Sequence, residues 1–407
     1  MRKISADYIF PISSEPIKNG VITVDDDGVI VETSPPTPLL GKKERGVEYY
    51  EGIICPGFVN THCHLELSHM RAQVSENLGM TGFIKDIITK RSNFSEAEIE
   101  QKITTAEAEM IKNGIVAVGD ISNNNSTFKQ KAKGNLIYYT FIEAFDLNPD
   151  KAEEVFENAI SLKKQLIELS TLNFELQTSI IPHAPYSVSE KLFELISDEA
   201  IKNNSIISIH NQESLGESEL FISHSGPMYE TFSKMGIDMN RIPKTGLNSL
   251  RTTLPKLPAS QKILLVHNTY TSEADIKFAE NRYKSAIKNP QSAILYWCTC
   301  PNANLYIENK LPNYTYFINA NAPVTIGTDS LASNWSLSIL DELKIITKHY
   351  PQIPLQTLLT WATKNGADFL GFNQLGTIEK GKKPGLNLLK NVVGMKLSEN
   401  TVVQKIV

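Results

Sequence analysis

The chain alternates short apolar, β-rich runs with amphipathic helical stretches, and this alternation limits the possible fold more than any other feature of its 407 residues. Strands that alternate with helices are typical of parallel sheets covered by helices. Eight runs qualify as strands, and they span residues 53–64, 114–122, 136–145, 174–184, 205–213, 262–270, 292–300 and 322–330. Eight strand-helix units predict an α/β protein built on a (β/α)₈ barrel, the TIM barrel.

Between the predicted strands, two stretches carry clear helical signals. Residues 95–114 begin with a Ser/Glu pair and end at Gly114, as capped helices do. Residues 151–169 place apolar side chains three and four positions apart. By contrast, the segment from Ser214 to about Ser260 shows no strand pattern. We interpret it as a long functional loop.

The two ends of the chain have a different pattern. Residues 18–32 alternate apolar and polar side chains around an Asp-Gly turn, which predicts a hairpin. The C-terminal residues are rich in turn signals and short strands, without helical periodicity. We therefore predict that residues 1–53 and 373–407 form a small β-sandwich domain, while residues 54–372 form the barrel domain.

Composition excludes several classes of function. A net charge of −5 provides no basic surface for nucleic acid, and no apolar run is long enough to span a membrane. The N-terminus lacks the apolar region of a signal peptide. The four cysteines are too few for a disulfide framework in a chain of this length and are expected to be buried thiols. These features predict a cytoplasmic protein without nucleic-acid or membrane partners.

Polar residues recur where the predicted strands end. His62 and His64 share one face of the first strand, because successive side chains alternate between faces. Five of the eight histidines lie at strand ends, and two carboxylates join them. The residues at the later strands are His183, His210, Glu213, His267 and Asp329. Because a barrel places its chemistry at the carboxyl ends of its strands, we expect these groups to converge.

Imidazole nitrogens combined with a carboxylate are the ligands expected of a catalytic divalent metal ion. Zinc is the first choice, and Fe²⁺ or Mn²⁺ are alternatives. Such an ion lowers the pKa of a bound water molecule to about 7, which makes hydroxide available at neutral pH. The strand-end residues therefore predict a metal-dependent hydrolase.

Four segments resemble signature motifs of the amidohydrolase superfamily, namely PGFVNTHCH, HNQE, LLVHNT and VTIGTDSLASNWSLSILDELK. They are most similar to its metal-dependent aminohydrolases, which include deaminases of adenosine-type nucleosides, aminodeoxyfutalosine, methylthioadenosine/S-adenosylhomocysteine, guanine and cytosine, and also chlorohydrolases. The resemblance covers essentially the whole chain. It implies a metal bound by His62, His64, His210 and Asp329. It further implies that Glu213 shuttles protons.

The same resemblance suggests roles for other residues. His267 would polarise or orient the substituents of the attacked carbon, and His183, in the segment IIPHAPYS, would hold substrate. That segment lacks the lysine that bridges two metals in other members, so one metal is expected. Glu66 and Glu143 lie in segments similar to aminodeoxyfutalosine deaminases, and we predict that they bind substrate. Trp335 is predicted to stack on a flat ring.

The resemblance implies hydrolytic deamination of an aminated purine-type nucleoside or related heterocycle, with release of ammonia. Two alternatives remain open from the sequence. One is hydrolysis of an amide or of a carbon–chlorine bond on a triazine-like ring, and the other is an inactive relative that serves as a binding or scaffold protein. A homodimer or larger homo-oligomer is implied by resemblance. The substrate, the metal and the leaving group are not specified.

Overall fold

The structure, a computed structural model, describes residues 1–34, 46–169, 176–284 and 294–407. The chain divides into two compact units, each with its own apolar cluster. The first unit comprises Met1–Thr61, Glu107–Val118 and Leu337–Val407. The second comprises His62–Ala106 and Gly119–Ser336.

Fifteen strands lie in the described part of the chain. They are β1 (Arg2–Ile9), β2 (Ile17–Lys18), β3 (Val21–Val24), β4 (Ile30–Ser34), β5 (Val47–Pro56), β6 (Phe58–Cys63), β7 (Ile115–Ser122), β8 (Ile137–Ala144), β9 (Gln177–Pro182), β10 (Ile207–Asn211), β11 (Ile263–His267), β12 (Leu295–Thr299), β13 (Val324–Ile326), β14 (Leu386–Lys390) and β15 (Val402–Lys405).

Fourteen α-helices and several short 3-10 helices separate the strands in the same described ranges. The α-helices are α1 (Gly79–Lys90), α2 (Glu96–Lys112), α3 (Phe128–Lys131), α4 (Ala152–Glu168), α5 (Glu190–Asn203), α6 (Leu215–Ser223), α7 (Gly226–Lys234), α8 (Ser249–Thr253), α9 (Glu273–Lys284), α10 (Pro301–Glu308), α11 (Tyr314–Asn319), α12 (Ile339–His349), α13 (Leu355–Ala362) and α14 (Lys364–Leu370). Within these ranges, no helix has both the length and the apolar character of a bilayer span.

Strands from both chain ends share one seven-stranded sheet, which we call the terminal sheet. Its order is β15-β14-β5-β1-β3-β4, and β2 pairs with β1. β1 and β5 run parallel, whereas the other recorded pairs are antiparallel. The predicted hairpin is confirmed as β3 and β4, with a turn in which Gly28 takes a φ of +84°. Ten apolar side chains form the buried cluster of this sheet: Ile4, Ala6, Ile9, Ile22, Val24, Ile30, Ile54, Ile378, Leu386 and Leu388.

All eight predicted α/β strands are present, as β6 to β13. They form two four-stranded sheets with the orders β6-β7-β8-β9 and β10-β11-β12-β13. The pairs β8/β9, β10/β11, β11/β12 and β12/β13 are parallel. The first residues predicted in runs 174–184 and 292–300 lie outside the described residues.

One predicted strand proved to be two. The run 53–64 breaks at Gly57, between the end of β5 and the start of β6. Gly57 donates its N–H to the carbonyl of Pro384 over 3.2 Å. A Cβ atom at this position would lie 2.4 Å from Val116 Cγ1, so the close approach requires glycine.

Helix capping explains where α2 begins. The Ser95 hydroxyl accepts the Glu98 N–H, and the Glu98 carboxylate accepts the Ser95 N–H at 2.8 Å, which is a capping box. The prediction of a helix over 95–114 is therefore confirmed, as is the helix predicted over 151–169, which is α4.

The segment from Ser214 to Ser260 is helical and not the long loop that the sequence suggested. It contains α6, α7, α8 and two 3-10 helices. Ser214 and Asn248 cap α6 and α8, which satisfies the first N–H groups of these short helices. Apolar side chains of α6 and α7, including Leu220, Phe221 and Phe232, join a buried cluster with Met80. Burial of spaced apolar residues stabilises helices too short to form alone.

Candidate active site

The two histidines at the end of β6 point toward a common partner. His62 Nε2 and His64 Nε2 lie 3.2 Å apart. Asp329, which follows β13, places Oδ1 3.6 Å from the first nitrogen and 3.5 Å from the second. All three side chains are buried. The strand alternation predicted from the sequence therefore brings both imidazoles to one carboxylate.

Two further histidines complete this group. Single ligand atoms of His62, His64 and His210 all lie within 4.8 Å of one another, and the same holds for His62, His267 and Asp329. Their strands are separated by long stretches of sequence. We call these five residues the strand-end cluster.

The spacing of the strand-end cluster suits a small divalent cation. Zinc–nitrogen and zinc–oxygen bonds of about 2.0–2.1 Å give a tetrahedron with edges of about 3.3 Å. The measured separations of 3.2, 3.5 and 3.6 Å among His62, His64 and Asp329 match those edges. Neutral imidazoles and an aspartate are also donors that zinc and similar metals accept. The residues therefore fit a bound metal ion.

Hydrogen bonds determine which nitrogen of His210 can bind a metal. Its Nδ1 lies 2.8 Å from the carbonyl of His183, and a carbonyl only accepts, so this nitrogen carries the proton. The lone pair is therefore at Nε2. Glu143, His183 and His210 form a third cluster of potential ligand atoms. The Nε2 atom of His210 can serve one centre only, which favours the single metal predicted.

Unusual backbone conformations mark the same strand ends. His267, Asp329 and Gln212 take φ angles of 72°, 57° and 46°, in the left-handed region that side chains other than glycine rarely adopt. Such strain persists where the surrounding structure holds it and clusters at functional sites. Next to Asp329, Gly327 permits a close approach, because a Cβ there would lie 2.8 Å from His62 Cβ.

Glu213 and His267 face each other across the centre. Glu213 Oε1 lies 3.3 Å from His267 Nε2, and His267 Nδ1 lies 2.9 Å from Asn304 Oδ1. Burial raises the pKa of Glu213 well above its usual value and lowers the pKa of His267 to about 4. A neutral His267 that donates from Nδ1 leaves Nε2 to accept a proton from a neutral Glu213.

The pKa of Asp329 is shifted in the opposite direction from that of Glu213. Burial by itself would raise its pKa, but the electrostatic interactions with the His62, His64 and His267 rings hold this pKa well below the usual value. Two buried carboxyl groups of one site, Asp329 and Glu213, are thus pushed toward different protonation states. Such a pair can divide the roles of base and acid.

Glu66 and Glu143 lie close together beside the strand-end cluster. Glu66 Oε2 accepts the Asn123 N–H at 2.9 Å, and Glu143 Oε2 accepts the Asn123 amide at 2.8 Å. Burial raises the pKa of Glu66 to about 8. Glu143 Oε1 has no hydrogen bond within the described residues and lies 3.7 Å from His210 Nδ1. β6 ends at Cys63, and Glu66 lies in the 3-10 helix that follows it, Leu65–Met70.

The two remaining predicted residues differ in position. The His183 ring lies 4.8 Å from the His210 ring, and its Nδ1 is 2.7 Å from the Ser187 hydroxyl. Trp335 is 48% exposed and donates its indole N–H to Glu76 over 2.8 Å. His183 therefore belongs to the buried site, whereas Trp335 is a half-exposed side chain held by a carboxylate.

Sequence reasoning missed several supporting residues. Asp120 and Lys131 form a fully buried ion pair of 2.6 Å, and Asp120 also accepts the Leu65 N–H at 2.8 Å, directly after His64. The Ser333 hydroxyl donates to Asp329 Oδ2 over 2.5 Å. The one available signal was Asp120 itself, a charged residue near the end of an apolar strand.

Comparisons with known proteins identify the family that the chain resembles. The sequence model of the amidohydrolase family matches residues 53–405. An adenosine deaminase from Helicobacter pylori is 27% identical over 351 residues, which cover 84% of this chain and 80% of that protein.

Solved structures extend the comparison to the fold. The aminofutalosine deaminase of Helicobacter pylori in complex with methylthio-coformycin superposes with a TM-score of 0.79 at 23% identity, covering 98% of this chain and 94% of the other. An atrazine chlorohydrolase from Arthrobacter aurescens, complexed with zinc, gives a TM-score of 0.72 at 17% identity, with 95% and 86% covered. The family match spans most of the chain and includes every residue of the strand-end cluster. The chain therefore belongs to the amidohydrolase family.

Proposed function

We propose that this protein is a metal-dependent hydrolase that deaminates an aminated purine-type nucleoside or a related heterocycle and releases ammonia. The observation that carries the proposal is the convergence of His62, His64, His210 and Asp329 opposite Glu213 and His267. The name of the adenosine deaminase that aligns over 84% of the chain supports the reaction class.

His62, His64, His210 and Asp329 would hold the metal, and zinc is the first choice, as in the chlorohydrolase structure. When bound, a divalent cation lowers the pKa of a water molecule to about 7 and so supplies hydroxide at neutral pH. The histidines fix its position from two sheets, and their burial keeps competing water away.

Proton transfer would be divided between two carboxyl groups. Asp329, an anion in its surroundings, accepts a proton from the attacking water. Glu213, whose pKa is raised by burial, donates a proton to a ring nitrogen of the heterocycle and then assists departure of ammonia. His267 Nε2 lies 3.3 Å from Glu213 Oε1, and this contact would aim the carboxyl group at the centre.

Glu66, Glu143 and His183 would bind the remainder of the substrate. The carboxyl groups of Glu66 and Glu143 are linked by Asn123, which leaves oxygens able to accept from substrate hydroxyl or N–H groups. A cavity of about 1060 Å³ is lined by these two side chains and by residues of α2, α3 and α4. This cavity would accommodate a substrate that carries a large substituent in addition to its base and sugar. Trp335 would stack on a flat ring at the exposed edge.

We also propose the finer architecture that the resemblance implied. Residues 54–372 would form a closed (β/α)₈ barrel, since His183 O accepts the His210 N–H and His62 O accepts the Asp329 N–H, each over 3.0 Å. These bonds lie between β9 and β10 and between β6 and β13. Residues 1–53 and 373–407 would form the small β-sandwich, because the apolar cluster of the terminal sheet includes residues of both β14 and β4.

We also propose a cellular location and an oligomeric state for the enzyme. The four cysteines are buried and form no disulfide in the described part of the chain, which suits the reducing cytoplasm. A homodimer or larger homo-oligomer is proposed by analogy with the family. Size-exclusion chromatography with light scattering measures this state directly.

The function is tested with zinc-loaded protein and a panel of adenine nucleosides. The panel contains adenosine, methylthioadenosine, S-adenosylhomocysteine and 6-amino-6-deoxyfutalosine, and ammonia release is measured. Glu213→Gln removes the proton donor, so we expect kcat on the best substrate to fall by about 10²–10⁴-fold. Glu230→Gln, an exposed residue of α7, is the matched control and should leave kcat unchanged. Near-normal turnover by Glu213→Gln would refute the mechanism.

The same assay separates the alternatives. Chloride release from a chlorotriazine, without ammonia from any nucleoside, would favour the chlorohydrolase reaction that the fold similarity to the atrazine enzyme also permits. Protein that binds no zinc and turns over no substrate would favour the binding or scaffold relative. The predicted ligands and the acid-base pair lie at one centre, which favours an enzyme over the scaffold relative. The similarity to a protein named as an adenosine deaminase favours deamination over chlorohydrolysis.

A further inference from the structure

We propose that Glu217 is a positioning residue that holds the backbone of Glu213 in the orientation needed for proton transfer. This inference rests on the proposed function, in which Glu213 donates the proton. The carboxylate of Glu217 is fully buried. Its Oε1 accepts the Gln212 N–H at 2.9 Å and its Oε2 accepts the Glu213 N–H at 3.1 Å. One side chain therefore holds two consecutive peptide groups, one of which belongs to the proton donor.

The contact differs from ordinary helix capping. Ser214 is the N-cap of α6 and accepts the Glu217 N–H over 3.2 Å. In a capping box, a glutamate at this position returns to the N–H of the cap residue itself. Glu217 instead reaches the two N–H groups that precede the cap. The first turn of α6 is thereby tied to the segment that carries Glu213.

This segment is a short link between two rigid elements. β10 ends at Asn211 and α6 begins at Leu215, so Gln212, Glu213 and the cap residue make the whole connection. Gln212 has a φ of 46°, a conformation that its surroundings must maintain. The Thr271 hydroxyl holds the Gln212 side chain at 2.7 Å, and Glu217 holds its N–H. Without Glu217 the link could relax toward ordinary backbone angles.

Such relaxation would affect the reacting group. Glu213 Oε1 is 3.3 Å from His267 Nε2, and a displacement of about 1 Å in a reacting group can cost about 10²-fold in rate. Glu217 itself is three residues beyond the link, and its carboxylate accepts the backbone N–H groups of Gln212 and Glu213. It would act through Glu213 and not on the substrate.

The test uses the full-length, zinc-loaded protein and the substrate with the highest turnover in the nucleoside panel. Glu217→Gln preserves side-chain volume but directs an NH₂ group at one of the two N–H donors, so one hydrogen bond is lost. We expect kcat to fall by about 10- to 10²-fold, with KM changed by less than about threefold and zinc content unchanged. Glu219→Gln, two residues further along α6, is the matched control and should retain kcat.

A double variant separates positioning from general destabilisation. If Glu217 acts through Glu213, then adding Glu217→Gln to Glu213→Gln should reduce kcat no further, because the group that it positions is already absent. A multiplicative loss in the double variant would overturn the proposal. So would kcat of Glu217→Gln within about twofold of the parent enzyme.

A crystal structure of Glu217→Gln gives a readout independent of turnover. We expect the Glu213 carboxyl group to move away from His267 Nε2. An unchanged separation would overturn the inference even if no nucleoside were a substrate. Normal turnover by Glu213→Gln alone would instead refute the proposed function, whatever the position of that side chain.

Discussion

The terminal sheet and the strand-end cluster are both buried, but they are built from different groups. The terminal sheet buries aliphatic side chains such as Ile4, Ile22 and Leu388, and its ion pair between Arg2 and Glu48 lies at the surface. The strand-end cluster buries imidazoles and carboxylates, which lose hydration when they leave water. Apolar burial stabilises a fold directly, whereas buried polar groups must each find a partner. Buried imidazoles and carboxylates that the stability of the fold does not require therefore indicate a functional site.

The largest expected effect comes from removing a predicted metal ligand. His64→Ala should lose zinc on dialysis and lower kcat/KM by at least about 10³-fold, because a bound metal contributes several kcal/mol to transition-state stabilisation. Metal analysis and the ammonia assay measure both effects. His349→Ala, an exposed histidine at the end of α12, should change neither. A His64→Ala protein with full zinc content would disprove the ligand assignment.

The second-largest effect is expected at the buried ion pair between Asp120 and Lys131. Lys131→Met leaves Asp120 as an unpaired charge without exposure to water, and we expect a loss of about 3–5 kcal/mol in the free energy of unfolding. Urea denaturation followed by circular dichroism measures this loss. The double variant Asp120→Leu/Lys131→Met removes both charges and should recover part of it. Single variants that lose less than about 1 kcal/mol would show that the pair is solvated.

The third prediction replaces a buried apolar residue of the terminal sheet, for comparison with the buried ion pair. Leu388→Ala removes a fully buried side chain and should cost about 2–5 kcal/mol of unfolding free energy by leaving a cavity. The kcat of the folded protein should be unchanged, since Leu388 supplies no polar group. Thermal unfolding and steady-state kinetics give the two values. A large fall in kcat at full zinc content would contradict our expectation that Leu388 contributes to stability and not to catalysis.

The smallest effect is expected at the surface of the terminal sheet. Arg2 and Glu48 side chains are 41% and 43% exposed, so Glu48→Gln should cost only about 0.2–1 kcal/mol, and less at high salt. The hydrogen bond from Arg2 lowers the pKa of Glu48 from 4.5 to about 2. The stabilisation is therefore present above pH 4.5 and lost as pH falls toward 2. Chemical denaturation measures the free energy of unfolding of the parent protein and of Glu48→Gln across this pH range. The difference between the two proteins should disappear as the pH approaches 2.

Much of the fold was predictable because its signals are local. Strand and helix periodicity, the Ser95 cap and the hairpin near Gly28 each depend on a few neighbouring residues. The break at Gly57 was missed because it reflects a close approach of Val116, a residue distant in sequence. The helices after Ser214 were missed because tertiary burial stabilises them more than their own sequence does.

The sequence indicated which polar residues stand at the strand ends, but not the residues that support them. His62, His64 and Asp329 stand at strand ends, and the resemblance to a known family supplied their partners. Asn123 and Glu217 have no local signature, since each acts by reaching a peptide group or carboxylate whose position depends on the assembled fold.

By itself, the sequence determined the order of strands and helices and the shared face of His62 and His64, because side-chain alternation is a property of a single strand. Only the tertiary structure decided that these imidazoles meet Asp329, a residue more than 250 positions away, and that Glu213 faces His267. Distances across a protein depend on how sheets and helices pack. The burial that shifts the pKa values of the carboxyl groups exists only once that packing has formed.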